Sequence, residues 1–283
     1  MMHDYYLSKA EEYADIEDIE LAKNKKDIQD KLKKDVDDEL IHTFYPSKDD
    51  LKNLPQNSTL LKISFTLKKS YTSKDEGEFH IYNSKDKRDK IFENPIVRDK
   101  FTGLPAVKPS TWKGHLRFAA NKAEWENEQE KKEIIRRLFG SESEEKENPL
   151  KGRLYFFPTF FTEDADMDVI TPLKRATRIP AKGPISLEVM KPGKNADFYL
   201  LYVPSPKGAD FKEEDVNKDL RFLAEALKLM FYTYGFSAKK TSGFGVIKKG
   251  LTEGKTWIKA GEDIQEIIFS ELDELKNKID RFR

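Results

Sequence analysis

The sequence predicts an α+β fold of the ferredoxin-like or RRM type, in which an antiparallel sheet carries helices on one face. Two observations predict it. The body of the chain reads strand–helix–strand twice, and its strands and helices differ clearly in hydrophobic period. The 283-residue chain is 37% hydrophobic, which is enough for a packed core. We predict three parts: an acidic helical extension at 1–58, a core with insertions at 59–260, and a C-terminal helix at 261–283.

The first strand–helix–strand unit begins at Thr59. In TLLKISFTLKK the apolar residues alternate with polar ones, which is typical of a half-buried strand. A long polar loop or hairpin follows at 70–90. Ser110 is then predicted to cap a helix that runs to about Phe139. The segment GRLYFFPTFF at 152–161 completes the unit as a strand.

The second unit begins with a strand at Asp197–Val203. A helix follows at 213–231, where apolar residues share one face and Gly235 lies just beyond the end. A strand is predicted at Gly245–Lys248. Outside the two units, helical spacing predicts an amphipathic helix from Leu21 to Leu40 and a terminal helix from Ile264 to Ile279.

Composition excludes several classes of site and location. The chain has no cysteine, so disulfides, thiolate catalysis and cysteine-based zinc sites are excluded. No stretch approaches the roughly 20 apolar residues of a membrane helix. The first residues also lack the basic start and apolar core of a signal peptide. We therefore expect a cytoplasmic protein that has no membrane partner.

The charge of the chain is unevenly distributed, although the net charge is zero. Residues 1–58 hold 15 acidic and 9 basic side chains, residues 261–283 hold 7 and 4, and the middle therefore carries +9. A basic body between acidic ends is typical of a polyanion binder. A solvated surface of uneven charge explains the same numbers. The open face of an RRM-type sheet would be a natural platform for single-stranded RNA.

Two elements place backbone amides beside cations. The run at 94–117, NPIVRDKFTGLPAVKPSTWKGHLR, joins a turn to a helix start, and such a start attracts phosphate. The run at 239–246, KKTSGFGV, puts two glycines beside two lysines. Ordinary helix capping and a plain turn are the structural alternatives. The predicted phosphate-binding residues are Arg98, Ser110, Lys113, Arg117, Lys239, Lys240, Gly243 and Gly245.

A different class of function has a partial signature. The tetrapeptide at 110–113 matches S-x-x-K, and Lys240-Thr241-Ser242-Gly243 is similar to K-T-G with one extra residue. Both are marks of serine acyl-enzymes. The third mark, S-D-N, does not occur in the sequence, and no export signal is present. A serine acyl-enzyme with Ser110 as nucleophile therefore stays as a third hypothesis.

The run at 94–117 resembles the signature of the RAMP superfamily of CRISPR-associated proteins. It is most similar to Cas7-like backbone subunits of type III (Csm/Cmr-like) effector complexes, which read D-x-P-V-I-R-D-P-x-T-G-x-P-x-I-P-G-S-S-L-K-G-x-L-R. Weaker matches follow in order: LFGS at 138–141, GRL at 152–154, Glu188 with Pro192 and Gly193, and the glycines at 243–245. The chain departs from the pattern at Lys108-Pro109 and at Trp112.

The resemblance implies an RRM-like subunit that holds CRISPR RNA by its phosphates and meets target RNA. Its partners would be Cas10-like, Cas5-like and further Cas7-like subunits of the effector. Lys113, Arg117 and the glycine loop would hold the guide. A thumb would push between bases of the guide–target duplex. The basic excursion at 172–193 is the candidate thumb, with Lys174, Arg175 and Arg178 as its RNA-binding residues.

The resemblance also implies a candidate site for cutting. In cutting members an aspartate just before the x-P-V-I-R-D segment supports metal-dependent cleavage of target RNA. Glu93 stands at that position, with Asp86 and Asp89 in the same stretch. Mg²⁺ or Mn²⁺ would be the cofactor. The extra methylene of a glutamate displaces the carboxylate, so cutting stays open. The second hypothesis is a stand-alone, metal-independent RAMP endoribonuclease that matures CRISPR RNA through His80 or Lys240.

Overall fold

A computed structural model describes residues 36, 38–73, 80–83, 89–92, 94–141, 149–171, 177, 179–180, 183–205, 213–239 and 243–281. The side chains of 80–83, 89–92, Asp38, Glu213 and Glu214 lie outside this description. In chain order the elements are α1 (Asp38–His42), β1 (Thr59–Thr66), β2 (His80–Asn83), β3 (Asp89–Phe92), β4 (Ala106–Val107), α2 (Pro109–Lys122), α3 (Glu128–Phe139), β5 (Leu154–Phe156), β6 (Thr159–Phe160), β7 (Asp166–Ile170), β8 (Ile185–Val189), β9 (Asn195–Tyr202), α4 (Glu213–Leu229), β10 (Glu253–Ala260), β11 (Asp263–Ile268) and α5 (Leu272–Arg281).

A five-stranded antiparallel sheet organises these elements. Its strand order is β11-β10-β1-β9-β5, so β9 lies between the two strands of the first strand–helix–strand unit. This split arrangement is the ferredoxin-like pattern. The helices α2, α4 and α5 pack on one face of the sheet in one apolar core. The predicted α+β fold is therefore confirmed.

The alternation in β1 directs one row of side chains into that core. Ile63 and Phe65 are at most 1% exposed and face the helices. Trp112, which replaces the leucine common in the resembling family, lies fully buried at the centre of the core. Its ring contacts Phe198 and Phe236, with ring centroids 4.7 and 4.4 Å away. An aromatic side chain of this size thus fixes α2 against the sheet.

The long helix predicted from Ser110 to Phe139 is wrong in two respects. First, α2 begins at Pro109 with Lys108 at the N-cap position, so Ser110 lies in the first turn and caps nothing. Second, Ala123 adopts extended backbone angles and ends α2. A new helix, α3, then starts at Asn127, whose side chain accepts hydrogen bonds from the first-turn amides.

The C-terminal predictions need a larger correction. Ile264 and Ile268 belong to strand β11, so the terminal helix begins only at Leu272. The preceding strand β10 was missed; Gly261, at φ 65°, makes the turn of the hairpin. The strand predicted at Gly245–Lys248 reduces to one bridge between Ile247 and Leu67. The helix predicted at 213–231 is confirmed as α4, which continues into a π-helical turn at Met230–Tyr234.

One further strand prediction is corrected in detail. The strand predicted at 152–161 is divided into β5 and β6, because Pro158 cannot donate to a ladder. The predicted excursion at 172–193 contains β8, which pairs with β7. Most residues from 172 to 182 lie outside the described residues, so the thumb stays a prediction. The segment 70–90, predicted as a long loop or a hairpin, contains β2, which pairs with β3.

The face of the sheet opposite the helices is partly covered. Residues 47–54 include a short 3₁₀ turn whose Leu51 packs on Leu60. Tyr45 stacks on Tyr199 with a centroid distance of 4.2 Å and an interplanar angle of 14°. The open RNA platform predicted there is therefore partly occupied by residues 45–54. Most of the helix predicted at 21–40 lies outside the described residues. Among the described helices, none has both the length and the apolarity of a membrane span.

Candidate nucleic-acid interface

A cleft of about 400 Å³, the α2 cleft, opens at the start of α2. Its walls are residues 71–73 after β1, the first turns of α2, and residues 236–238 after the π-helical turn. Lys108 is the one charged residue in this lining, and no carboxylate belongs to it, within the described part of the chain. The full lining is Tyr71, Thr72, Ser73, Val97, Lys108, Ser110, Thr111, Gly114, His115, Phe236 and Ala238.

Hydrogen bonds fix the wall formed by residues 71–73. The Thr72 amide donates to Ser237 Oγ at 3.0 Å, and that hydroxyl donates back to the Thr72 carbonyl at 2.8 Å. On the other side, Tyr71 and Met190 exchange two backbone hydrogen bonds of 2.9 Å. These hydrogen bonds join segments far apart in sequence into one wall of the cleft.

Two glycines permit the close backbone approach behind this wall. Gly235 and Gly245 have φ of 72° and 79°, where L-residues with side chains are strained. A Cβ on Gly245 would lie 2.7 Å from the amide nitrogens of Phe236 and Ser237. Gly245 therefore supports the wall and does not line the cleft. Gly243, at φ 76°, has open space around the same position.

The motif RDKFTGLP forms a tight turn that leads the chain into α2. The Asp99 carboxylate accepts hydrogen bonds from the Phe101 amide (3.0 Å) and from the amide and hydroxyl of Thr102 (2.8 and 3.0 Å). Gly103 completes the turn at φ 68°. This part of the signature is thus structural, because it sets where α2 starts.

Arg98 is placed away from the cleft. Its guanidinium donates to Glu188 Oε1 at 3.1 Å, and its side chain is 13% exposed. The other carboxylate oxygen of Glu188 accepts from the Ile96 amide at 2.9 Å. Glu188, which matched a weak piece of the family pattern, therefore holds the strand-like segment that carries Arg98. The predicted phosphate-binding role of Arg98 gains no geometric support.

The electrostatics of the α2 start favour an anion. No acidic residue lies in the first turn, and the side chain of the N-cap residue Lys108 makes no capping hydrogen bond. First-turn amides of a helix without such a cap carry the positive end of the helix dipole. Ser110 and Thr111 bring hydroxyl groups to the same place. Lys113 is exposed one turn into the helix, and Arg117 follows one turn later.

The predicted residues are only partly brought together. Ser110 lines the α2 cleft, Lys113 and Arg117 lie on the same helix, and Lys239 adjoins the lining residue Ala238. The residues outside the description are Lys174, Arg175, Arg178, Lys240, Asp86 and Glu93; only the backbone of Asp89, in β3, is described. Sequence reasoning missed Lys108, Thr72, Ser73 and His115 as cleft residues. Lys108 carried a signal, since it immediately precedes the helix start.

The described side chains include only some of the possible metal ligands of the chain. No group of three or more histidine, aspartate or glutamate side chains suited to a metal ion occurs in the described ranges. The carboxylates predicted for cutting lie at 86–93, whose side chains are outside those ranges. The expected Mg²⁺ or Mn²⁺ site therefore stays a prediction.

A model of the RAMP superfamily matches residues 77–248, which is more than half of the chain. The chain belongs to the RAMP superfamily. The match includes the turn motif, α2 and the glycine loop, and it begins just after the cleft wall at 71–73. Family membership removes the basis of the serine acyl-enzyme hypothesis, because Ser110 is explained as a residue of the RAMP signature.

Two curated relatives and one solved structure are similar to this RAMP protein. The relatives are both named CRISPR system Cms endoribonuclease Csm3. The one from Streptococcus thermophilus is 26% identical over 168 residues, 55% of this chain and 73% of the relative. The one from Mycobacterium tuberculosis H37Rv is 27% identical over 179 residues, 55% and 74%. A chain from the type III-B Cmr-beta complex bound to cognate target RNA has a TM-score of 0.51 at 20% identity, with 86% and 78% coverage. The structural likeness supports the fold.

The weaker RAMP pieces LFGS and GRL turn out to pack against each other. A Cβ on Gly152 would lie 2.6 Å from the backbone of Phe139, so both segments need glycine. Next to them, Asp219 is fully buried between Arg137 and Arg153, at 2.8 Å from each. Burial raises the pKa of the Asp219 carboxyl, and the two guanidinium groups oppose that rise. These signature residues hold α3 and α4 together and lie away from the α2 cleft.

Proposed function

We propose that this RAMP protein is a Cas7-like subunit of a type III-like CRISPR RNA-guided effector, and that its α2 cleft holds phosphates of the CRISPR RNA. The observation that carries the proposal is the cleft itself. It combines a helix start without a capping hydrogen bond from its N-cap side chain, the hydroxyls of Ser110 and Thr111 and a lining without carboxylates, with Lys108, Lys113 and Lys239 at or beside it.

The chemistry of the cleft suits recognition of a backbone. Helix amides, hydroxyls and lysines contact phosphate oxygens, which are the same for every sequence. In an RNA-guided effector the sequence is read by base pairing, and the protein needs only to hold the guide. The hydrogen-bonded wall at 71–73 supports this role, because it would direct the path of the guide. Target RNA and other effector subunits would be the remaining partners.

The comparisons support the proposal from a different direction. Both curated relatives are named as endoribonucleases of a CRISPR system, and the similar solved chain comes from a type III complex with target RNA. The RAMP match covers two of the three walls of the α2 cleft, namely the first turns of α2 and residues 236–238. Guide binding by the α2 cleft is thus supported both by the local geometry and by the similarity to named proteins of CRISPR systems.

The test compares RNA binding by Lys113→Ala/Arg117→Ala with binding by Lys122→Ala/Lys132→Ala, which removes the same charge elsewhere on α2 and α3. For single-stranded RNA each lost phosphate contact makes the negative slope of log K against log salt shallower by ~0.7. We expect the first variant to bind more weakly, with a slope that is shallower by ~1.4. Equal affinity and equal slope in both variants would remove the phosphate role of this cleft.

Cutting of target RNA is proposed as a second activity, supported by the endoribonuclease names of the relatives. A bound Mg²⁺ or Mn²⁺ would stabilise charge on the reacting phosphate. Glu93, Asp89 and Asp86 are the residues of this chain proposed to hold it. We expect Glu93→Ala to abolish metal-dependent cuts and keep RNA affinity, and Glu93→Asp to cut at least as well as the wild type. Cuts that persist in EDTA and disappear in His80→Ala would instead support the stand-alone endoribonuclease.

A further inference from the structure

The outer face of the sheet, opposite the helices, contains a second cleft. Residues 45–54 cover part of that face, where Leu51 packs on Leu60. Beside the ring of Tyr45 a cleft of about 330 Å³ stays open. Its floor is formed by β9, β1 and β10, and its rim by residues 42–48. We call it the outer-face cleft.

Two lysines face each other across the floor of the outer-face cleft. Lys62 in β1 and Lys255 in β10 are direct antiparallel partners, and their side chains are 18% and 30% exposed. Like charges directly opposite each other destabilise a sheet. Glu253, which contacts both lysines, offsets part of this repulsion. Such a pair is useful if the site receives an anion.

The charge of the outer-face cleft is only partly neutralised. Glu253 contacts Lys62 and lies 2.5 Å from Lys255, so one carboxylate serves two ammonium groups. The next carboxylate, Asp197, lies 3.8 Å from Lys62. Lys48 at the rim is exposed and adds a third cation. The lining as a whole, with three lysines and one glutamate, carries an excess of positive charge.

The titration behaviour of these groups is consistent with the geometry. Hydrogen bonds from Lys255 and Lys62 lower the pKa of the Glu253 carboxyl. Burial disfavours the charged form of Lys62, but Glu253 and Asp197 outweigh this effect and raise its pKa. Lys62 and Glu253 are therefore both charged at neutral pH, and an incoming anion would compete with Glu253 for the ammonium groups.

Aromatic rings flank the two lysines. Trp257 lies on the same face of β10 as Lys255, and Tyr199 is the direct partner of Lys62 in β9. The Lys62 ammonium lies 5.9 Å from the centroid of the Tyr199 ring. The ring of Tyr45 already stacks on Tyr199, as a base would. Rings for bases and cations for the backbone are the combination that binds single strands.

We propose that the outer-face cleft binds a nucleotide of single-stranded RNA, with its base against Trp257 and its phosphate beside Lys62 and Lys255. This site lies on the face of the sheet opposite α2. It is independent of the guide-binding role proposed for the α2 cleft, because it shares no residue with that cleft. Tyr45 confines the site to one nucleotide by occupying the neighbouring ring.

The test measures affinity for a 12-nucleotide oligouridylate by fluorescence anisotropy. Lys62→Gln/Lys255→Gln should bind at least fivefold more weakly, and Glu253→Gln should bind roughly threefold more tightly because the competing carboxylate is gone. Lys132→Gln/Lys278→Gln, with the same charge change on the helical layer, is the matched control. Trp257→Leu should weaken binding roughly tenfold, the usual scale for one stacked base. Circular dichroism melts confirm that each variant is folded.

A second readout locates the contact. An oligouridylate that carries 5-iodouridine should cross-link under ultraviolet light to the peptide containing Trp257. The proposal is overturned if the Lys62/Lys255 variant binds like its control, or if cross-links form only outside residues 42–48, 59–66, 195–202 and 253–260. All variants are also made in the Lys113→Ala/Arg117→Ala background. If the α2 cleft does not bind RNA, the Lys113→Ala/Arg117→Ala background binds RNA like the wild type, while the effects of the outer-face variants are unchanged. The two proposals therefore succeed or fail separately.

Discussion

The glycine loop offers the sharpest test of how the α2 cleft is built. Gly243 and Gly245 lie two residues apart, both with φ near 80°, and differ in their surroundings. A Cβ on Gly245 would meet two backbone nitrogens at 2.7 Å, whereas no atom of the described residues lies within 4 Å of a Cβ on Gly243. Gly245→Ala and Gly243→Ala therefore share the conformational cost and differ in the steric one.

The magnitudes follow from this difference. The left-handed conformation costs a residue with a side chain roughly 1–2 kcal/mol, and both variants lose that amount. Ordinary contact for a Cβ is about 3.4 Å or more, so Gly245→Ala must also displace the backbone of Phe236 and Ser237. Such overpacking costs typically ~1–3 kcal/mol. We expect Gly245→Ala to lose ~2–5 kcal/mol and Gly243→Ala ~1–2 kcal/mol.

Urea unfolding followed by circular dichroism measures both free energies. Because Ser237 holds the wall at Thr72, Gly245→Ala should also weaken RNA binding under conditions where the variant is still folded. Equal losses of stability in the two variants would refute the close approach between residues 235–237 and 243–245. A destabilised Gly245→Ala that binds RNA normally would show that the wall does not shape the binding cleft.

Three further variants test the surrounding framework. Asp219→Ala removes the buried carboxylate that Arg137 and Arg153 share, although Arg137 keeps Asp215 at 3.9 Å, and should lower the free energy of unfolding by ~3–5 kcal/mol; a loss below ~1 kcal/mol in urea titration would contradict the buried network. Asp99→Ala leaves the amides of the turn before α2 without their acceptor and should cost ~1–3 kcal/mol, with weaker RNA binding; unchanged binding would separate the turn from the cleft. Tyr45→Ala removes the ring stacked on Tyr199 and should cost at least ~0.5–1.5 kcal/mol, whereas Tyr45→Phe keeps the ring; equal melting temperatures for the two variants would argue against the stack.

The sequence was most informative where one physical signal acted alone. The alternation in β1 and the helical face of α4 both reflect burial against one core, so hydrophobic period predicted them correctly. The hairpin β10–β11 was harder. Ile264 and Ile268 are four residues apart, which fits one face of a helix and also one face of a strand. Their true setting depends on pairing with β10, which local spacing does not reveal.

The sequence was more informative for predicted site residues whose surroundings come from nearby in the chain than for those whose partners are distant in sequence. Ser110 lines the α2 cleft, and its place at the start of the helix could be inferred from the neighbouring sequence. Arg98 was predicted to bind phosphate, whereas its guanidinium pairs with Glu188. This partner lies 90 residues away in sequence, so no local pattern reveals it. Gly245 was likewise predicted to bind phosphate, whereas the structure needs a glycine there because the backbone of Phe236 and Ser237 approaches closely. A ligand can thus be assigned to a cationic residue or a glycine only when its partners in the folded protein are known.

The central claim is that the α2 cleft holds phosphates of a single-stranded RNA regardless of sequence. The most direct measurement is a salt titration of nuclease-treated protein with two RNAs of equal length and unrelated sequence. We predict equal affinities for both, with log K falling against log salt at a slope of about −2 or steeper, as expected for three or more phosphate contacts. A slope near zero, or a strong preference for one sequence, would contradict the claim.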